Sequence, residues 1–373
     1  MLAILGTILF YLLISLLILI LGIVAFMKFG KVFGRKPSKQ QKETYSQYPN
    51  HVQGKFTNLM PQLNIVETPN FIDDSLHPKS TRRPNFEIPY VKIAPQSLTK
   101  KTKHTRVTWF GHSTILLEMD GKNILIDPMF GEIPSPVSFI GQKRYSKGLP
   151  LNIDELPPID AVLMTHDHYD HLDYQSILKI KNKVKKFYVP LGLSAHLHRW
   201  EVSTSKIEEL NWHQTAELDG IRLTLTPSHH YSGRSLMDRF ESLWGGWVIK
   251  GTLDNIYLSG DGGYGAHFKE IGKAYGPFDF AMIECGQYSR YWRQNHLFPE
   301  QSVQVAAEVG AKLIMPIHWG AFTLAMHAWD APVKRFLVAA TALNIPVTTP
   351  KIGEQIVLGK EPKEQPKSTW WEK

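Results

Sequence analysis

Residues 160–171 read DAVLMTHDHYDH. The run from Asp160 to Thr165 is short and apolar, which predicts a strand, and a helical pattern opens near Asp173. A strand-to-loop junction of this kind points several side chains into one cavity. Three imidazoles (His166, His168, His171) and one carboxylate (Asp170) within six residues suit a borderline cation such as Zn²⁺, which takes nitrogen and oxygen ligands at about 2.0–2.2 Å. A solvated loop with an accidental histidine run is the competing reading. Three further features weigh against it, each at the end of a later apolar run: His230 after LTLTPSH, Asp261 after IYLSG and His318 after LIMPI. His229 adjoins His230, but neighbours on an extended segment face opposite ways, so only one of them can turn toward such a cation.

Outward from the motif, short apolar runs dominate. Arg106 to Phe130 carries an Asp120-Gly121 turn between two of them, a hairpin signal. Further strands are expected at 160–165, 186–190, 221–226, 245–249, 255–259, 279–283 and 312–317. Helices are expected at 173–182, 191–199, 266–275, 299–309 and 330–343, where apolar residues recur every three or four positions. Two strand-rich halves, each followed by helices, predict an α/β fold with two packed sheets and helices outside, a four-layer arrangement. No internal repeat or low-complexity tract is visible.

The N-terminal third reads differently. From Leu2 to Met27 no side chain is charged, and the stretch is long enough to exceed the roughly 30 Å hydrocarbon core of a bilayer. A cleavable signal would have a shorter apolar region, a basic start and a small-residue cleavage site, and a buried core helix would be amphipathic or interrupted. We therefore read residues 2–27 as a single-pass membrane anchor. The chain carries a net charge of +8, and Lys28, Lys31, Arg35, Lys36, Lys39 and Lys42 crowd directly behind the apolar stretch with no acid among them, leaving the rest nearly balanced. By the positive-inside rule this flank belongs on the cytoplasmic side, beside anionic headgroups, with the globular body on the same side. Residues 28–100 are read as basic flank, linker and extended cover segment, 101–360 as the catalytic domain and 361–373 as a polar tail. With its charge so localised, the chain lacks a separate clamp for nucleic acid. The single cysteine, Cys285, excludes an internal disulfide and any multi-thiolate site. A composition of 43% hydrophobic and 20% charged residues is too apolar for a disordered chain.

At the residues quoted, the chain resembles the metallo-β-lactamase superfamily, whose HxHxDH signature is met by His166, His168, Asp170 and His171. The resemblance covers residues 105 to about 350. It implies the αββα sandwich and two zinc ions per chain, one held by His166, His168 and His230, the other by Asp170, His171 and His318, with Asp261 bridging both. A carboxylate between two cations about 3.5–4 Å apart offsets their repulsion, and metal-bound water is acidified to a pKa near 7, so the implied reaction class is hydrolysis.

Longer strings are similar to one branch, the N-acylphosphatidylethanolamine-hydrolysing phospholipase D: Tyr145, Gly148-Leu149-Pro150, ELPPID (155–160), HDHYDHLDY (166–174), VPLG (189–192), SLMD (235–238), GPFD (276–279) and IHWGAF (317–322). That likeness implies a phospholipid substrate cleaved to an N-acylethanolamine and phosphatidic acid. It further implies that Tyr169 and Tyr174 touch substrate and that Asn295, where the family has Gln, and His296 meet the phosphate or headgroup. His296 would act with Asp261 in catalysis, either bonding a phosphoryl oxygen or protonating the leaving alkoxide. His112 is expected to fix a loop or orient a ligand, and Asp127 to orient a ligand histidine or cap a turn. His213, His267 and His327 are expected in packing or surface roles. Phe139, Tyr288, Tyr291 and Trp292 are either an acyl groove or core. A soluble-substrate hydrolase of lactonase type and a non-catalytic membrane protein that keeps its metal are the alternative functions, and the sequence leaves a homodimer open.

Overall fold

Along Ile115–Met119 the side chains split by period two: Ile115, Leu117 and Met119 join one buried cluster and Leu116 another. The same split separates Ile124 and Ile126 from Leu125. One cluster therefore lies between two sheets and the other between a sheet and its outer helices, as alternation across a pleated strand requires. The computed structural model describes residues 2–59, 79–98 and 102–372. In chain order its elements are α1 (Leu2–Phe29), α2 (Lys39–Tyr45), β1 (His51–Val52), β2 (Lys55–Phe56), β3 (Arg106–Trp109), β4 (Ile115–Met119), β5 (Lys122–Ile126), β6 (Ile159–Leu163), α3 (Tyr174–Ile180), β7 (Val184–Pro190), α4 (Ser194–Arg199), β8 (Ile207–Leu210), β9 (Thr215–Leu218), β10 (Ile221–Thr226), β11 (Gly246–Lys250), β12 (Asn255–Leu258), α5 (His267–Tyr275), β13 (Phe280–Glu284), α6 (Pro299–Val309), β14 (Ile314–Ile317), α7 (Ala331–Ala342) and β15 (Gln355–Val357).

Seven strands form one sheet in the order β15-β3-β4-β5-β6-β7-β8, and six form the other in the order β14-β13-β12-β11-β10-β9. β5 to β8 run parallel, as do β12, β13 and β14. Ile177 and Ile180 of α3 and Leu197 of α4 pack on the outer face of the first sheet, together with Leu116, Leu125 and Val162. Phe268 and Ile271 of α5, Val303 and Ala306 of α6 and Val333 and Phe336 of α7 join the larger cluster. The result is the four-layer αββα sandwich.

α1 is apolar on every side and exposed, and by length and composition its stretch Ile4–Phe29 fits a membrane span or a signal sequence. The expected cover segment is more ordered than its composition suggests. Ser38 and Gln41 form a reciprocal capping box that starts α2, and Tyr45, Phe56 and Ile88 are buried against the body. Residues 60–78 and 99–101 of that segment lie outside the described residues. The expected polar tail is a misreading: Trp370 and Trp371 are buried in an aromatic cluster with Trp109, Trp319 and Trp329, so the chain's end is part of the body.

Candidate metal centre

In open α/β sheets the C-terminal ends of the strands are where loops build sites. Here β6 leads into residues 164–172, β10 into His230, β12 into Asp261, β13 into Glu284 and β14 into His318. All seven candidate ligands converge. His166 Nε2 and His230 Nε2 lie 3.0 and 3.3 Å from His168 Nδ1. His171 Nε2 and His318 Nε2 lie 3.1 and 3.0 Å from Asp261 Oδ2, and 3.4 and 3.3 Å from Asp170 Oδ2. Asp261 Oδ2 also stands 3.8 Å from His166 Nε2, so this carboxylate joins the two groups.

The hydrogen bonds behind the rings decide which nitrogen faces inward. Thr165 Oγ1 donates to Asp127 Oδ2 (2.7 Å) and so accepts from His166 Nδ1 (2.9 Å). His171 Nδ1 donates to Asp127 Oδ2 (2.8 Å), His230 Nδ1 to the Asn295 carbonyl (2.9 Å) and His318 Nδ1 to the Gly286 carbonyl (3.1 Å). Each of these four rings therefore keeps a proton on Nδ1 and turns Nε2 into the site, the orientation metal-binding imidazoles use. His171 Nε2 and Asp261 Oδ1 are buried without a hydrogen-bond partner, a cost that a bound cation would remove. The residues fit a metal.

Electrostatics divide the cluster in two. Burial disfavours a charged His318, yet Asp261, Asp170 and Glu284 outweigh it and push its pKa up to about 10; carboxylates likewise raise His171 against its burial. His166 and His230 go the other way, lowered by burial and by neighbouring imidazoles. One half attracts positive charge, and the other offers neutral nitrogen donors. His112, pushed down to about 3 by burial and by His318, stays neutral and donates from Nε2 to Asp170 Oδ2 at 2.8 Å. It orients that carboxylate, as does Asp127 for His171.

A cavity of about 340 Å³ opens over the cluster, lined by His168, Asp170, Asp261 and His318 together with Tyr231, Arg239, Gln287, Trp292, Asn295, His296 and Leu324. Asn295 and His296 thus border this cavity. Tyr169 and Tyr174 do not. Tyr169 donates to the Arg234 carbonyl (2.6 Å) with the Arg234 guanidinium 4.0 Å over its ring, and Tyr174 packs 5.2 Å from Trp200 beside α3, so neither lines the cavity. Of the four aromatics, Trp292 lines the cavity and Tyr288 is core, stacked 4.4 Å from His327, while Phe139 and Tyr291 are exposed. His327 accepts the Gln287 amide and His267 is buried; both are packing residues, whereas His213 stacks on Tyr275 at the surface.

Sequence reasoning misses Glu284. It ends an apolar strand, is fully buried, and accepts from His296 Nδ1 (2.8 Å) and the Gly262 amide (2.6 Å). A carboxylate closing a buried strand is the only signal it left. Asn58 is missed too: its side chain bonds both the amide and the carbonyl of His230, at 3.1 and 2.9 Å.

Residues 122–319 match the family described as "Beta-lactamase superfamily domain". An uncharacterised protein of Mycobacterium tuberculosis is 36% identical over 318 residues, 83% of this chain and 84% of its own length. The N-acyl-phosphatidylethanolamine-hydrolyzing phospholipase D 1 of Caenorhabditis elegans is 35% identical over 229 residues, 58% of this chain and 64% of that protein. Among solved structures, Igni18, a metallo hydrolase from Ignicoccus hospitalis, superposes with a TM-score of 0.52 at 21% identity, covering 69% of this chain and all of that one, which shows the shared fold. With that sandwich and a metal-ready His/Asp cluster at its strand ends, the chain belongs to the β-lactamase superfamily as a metal-dependent hydrolase.

Proposed function

We propose that the chain is a membrane-anchored phosphodiesterase of phospholipase D type, which hydrolyses N-acylphosphatidylethanolamine to an N-acylethanolamine and phosphatidic acid. One observation carries the reading: the cavity over the cluster sets the donors His296 and Arg239 beside the apolar Trp292 and Leu324, as a phosphodiester joined to lipid requires. The likeness to the nematode phospholipase D supports it, as do α1 and the neighbouring turn whose Leu236 and Met237 are 85% and 74% exposed. In this reading α1 crosses the bilayer once and the body lies on its cytoplasmic side. The basic flank there is partly engaged with the body, since Lys31 pairs with Glu201 and Lys36 and Lys42 with Glu241.

His166, His168 and His230 would hold one zinc ion and Asp170, His171 and His318 a second, with Asp261 shared between them. Bound zinc supplies Lewis acidity and lowers the pKa of water. The residues around it do the rest. His296 donates from Nδ1 to Glu284, and when Nε2 also carries a proton it can donate that proton to a phosphoryl oxygen or pass it to the departing ethanolamine oxygen as the phosphorus–oxygen bond breaks. Arg239, at the rim with its guanidinium 4.6 Å over Tyr231, offers fixed positive charge to the phosphodiester. The buried wall behind the cluster excludes bulk water and strengthens these contacts.

The test is product analysis on purified full-length protein loaded with zinc and given the lipid in mixed micelles. N-acylethanolamine and phosphatidic acid in equal amounts, absent with His168→Ala, are expected. Full metal occupancy with no release of either product would sink the proposal.

A further inference from the structure

The ligand loop 166–172 has a back as well as a front. His166 and His168 face the cluster, and Asp167 between them faces away, as alternation on an extended segment demands. Its carboxylate accepts from the Gly233 amide (2.8 Å), from Ser242 Oγ (2.8 Å) and from His196 Nε2 (3.3 Å). Arg234, buried, donates through Nη1 to the carbonyls of Asp167 and Leu172, both at 2.7 Å, clamping the two ends of the loop.

Both of these braces continue into the short segment that leads out of α1. Arg234 Nη2 donates to the Val32 carbonyl at 2.9 Å. The Arg35 amide donates to His196 Nδ1 at 3.1 Å, which places the imidazole proton on Nε2, where it reaches Asp167. Trp200 Nε1 donates to the Lys31 carbonyl at 2.6 Å and Arg199 Nη2 to the Phe29 carbonyl at 2.8 Å. Gly34 permits the approach: its φ is +69°, and a Cβ there would sit 2.0 Å from His196 Nδ1.

We infer that residues 29–35, the segment joining α1 to the body, position the metal-ligand loop through His196 and Arg234. These are positioning residues that touch neither ligand atoms nor cavity. The inference rests on the reading that loop 166–172 holds metal. Its consequence is that the metal affinity of the catalytic domain depends on contacts made by the anchor's exit segment, so the site is fully formed only when that segment is seated.

The experiment is cobalt titration of the full chain in detergent micelles, followed by the visible absorption of bound Co²⁺, which reports ligand geometry independently of turnover. Arg35→Pro deletes one amide donor and leaves His196 intact; Gly34→Ala lifts the segment from His196; Arg234→Gln removes the clamp. Each is expected to weaken cobalt binding, with Arg234→Gln losing about 10-fold or more, in line with other outer partners of metal ligands. Gly34→Ala is expected to cost less when combined with His196→Ala, which removes the clash and that relay and leaves only the backbone strain at φ +69° and the Arg234 brace, whereas independent structural damage would add in full. If Gly34→Ala fails to fold, Arg35→Pro decides the matter alone. Wild-type cobalt affinity and spectrum in Arg35→Pro and Arg234→Gln would overturn the inference. A wild type that takes up no cobalt would instead overturn the metallohydrolase reading beneath it.

Discussion

His296 Nδ1 lies 2.8 Å from Glu284 Oε2, and Glu284 has no exposed surface. The carboxylate is itself pinned by the amides of Gly262 and Leu297, so it holds the imidazole in one orientation, with Nε2 toward the cavity. Burial raises the Glu284 pKa, and its partner histidine opposes that rise. Glu284→Gln is expected to lower kcat about 10- to 100-fold with zinc content unchanged, and His296→Ala to lower it about 10²- to 10⁴-fold, the range of positioned proton donors. Steady-state kinetics on the micellar lipid, with metal analysis of each variant, checks both. Unchanged kcat in His296→Ala would remove it from the chemistry.

Asp127 makes a separate prediction. Its carboxylate accepts from His171 Nδ1, from Thr165 Oγ1 and from the Thr165 amide at 2.7–2.8 Å, and so sets two of the candidate ligands at once. Asp127→Ala is expected to cost about 10- to 100-fold in zinc affinity. Competition against a chromogenic chelator measures it. A loss confined to kcat would place Asp127 elsewhere in the mechanism.

How much of this was legible in the chain varies by physical cause. The strands carrying the cluster were readable because β6, β10, β12, β13 and β14 are apolar runs bounded by turns, and their ends place His166, His230, Asp261 and His318. The edge strands β8 (IEEL) and β9 (TAEL) were not, because half their residues are polar, β8 being mostly half-buried and β9 exposing one face. β15 is three residues long and takes its meaning from pairing with β3 across the whole domain. Glu284 has no spacing relation to His296 that a sequence could reveal; only β13 and the loop before α6 bring them together. Tyr169 and Tyr174, which the family likeness sets against substrate, turn toward Arg234 and Trp200, an orientation the spelling of the motif does not carry.

His267 links pH to stability. Buried, with no hydrogen-bond partner at Nε2, its pKa is pushed down to about 3 by burial and secondarily by His229. The folded chain keeps it neutral while the unfolded chain takes a proton below about pH 6.5, so the unfolded state binds more protons and stability falls as pH drops from 6.5 toward 3. Between pH 7 and pH 5 this one group is expected to remove about 2 kcal/mol. Urea unfolding of wild type and His267→Phe at both pH values isolates it, because the difference between the two proteins cancels every other titration. Equal pH dependence in the two would refute the assignment.

Metal removal is expected to destabilise the fold as well as abolish activity. Asp170 and Asp261 each lie 3.0–3.4 Å from both His171 and His318, and a cation bound only by the folded state adds about 2.7 kcal/mol per site at a free concentration 100 times Kd. Thermal unfolding with zinc and with excess chelator should differ by several degrees, and His168→Ala should narrow that gap. No shift on chelation would mean that the cluster binds no metal under those conditions.

The last prediction concerns the end of the chain. Trp370 stacks 5.1 Å from Trp319, near-parallel at 14°, approaches Trp109 and Trp329, and donates from Nε1 to the Pro350 carbonyl at 3.1 Å. Trp319 directly follows His318, whose backbone pairs with His112, so the aromatic cluster supports one candidate ligand and the residue orienting another. Trp370→Ala leaves a large cavity in that support, and truncations of buried tryptophan cost about 3–5 kcal/mol. Denaturant unfolding is expected to show a loss in that range, and chelator competition a weaker hold on zinc, because His318 loses its backing. A loss under about 0.5 kcal/mol would mean that the terminal tryptophans are dispensable to the body and to the site.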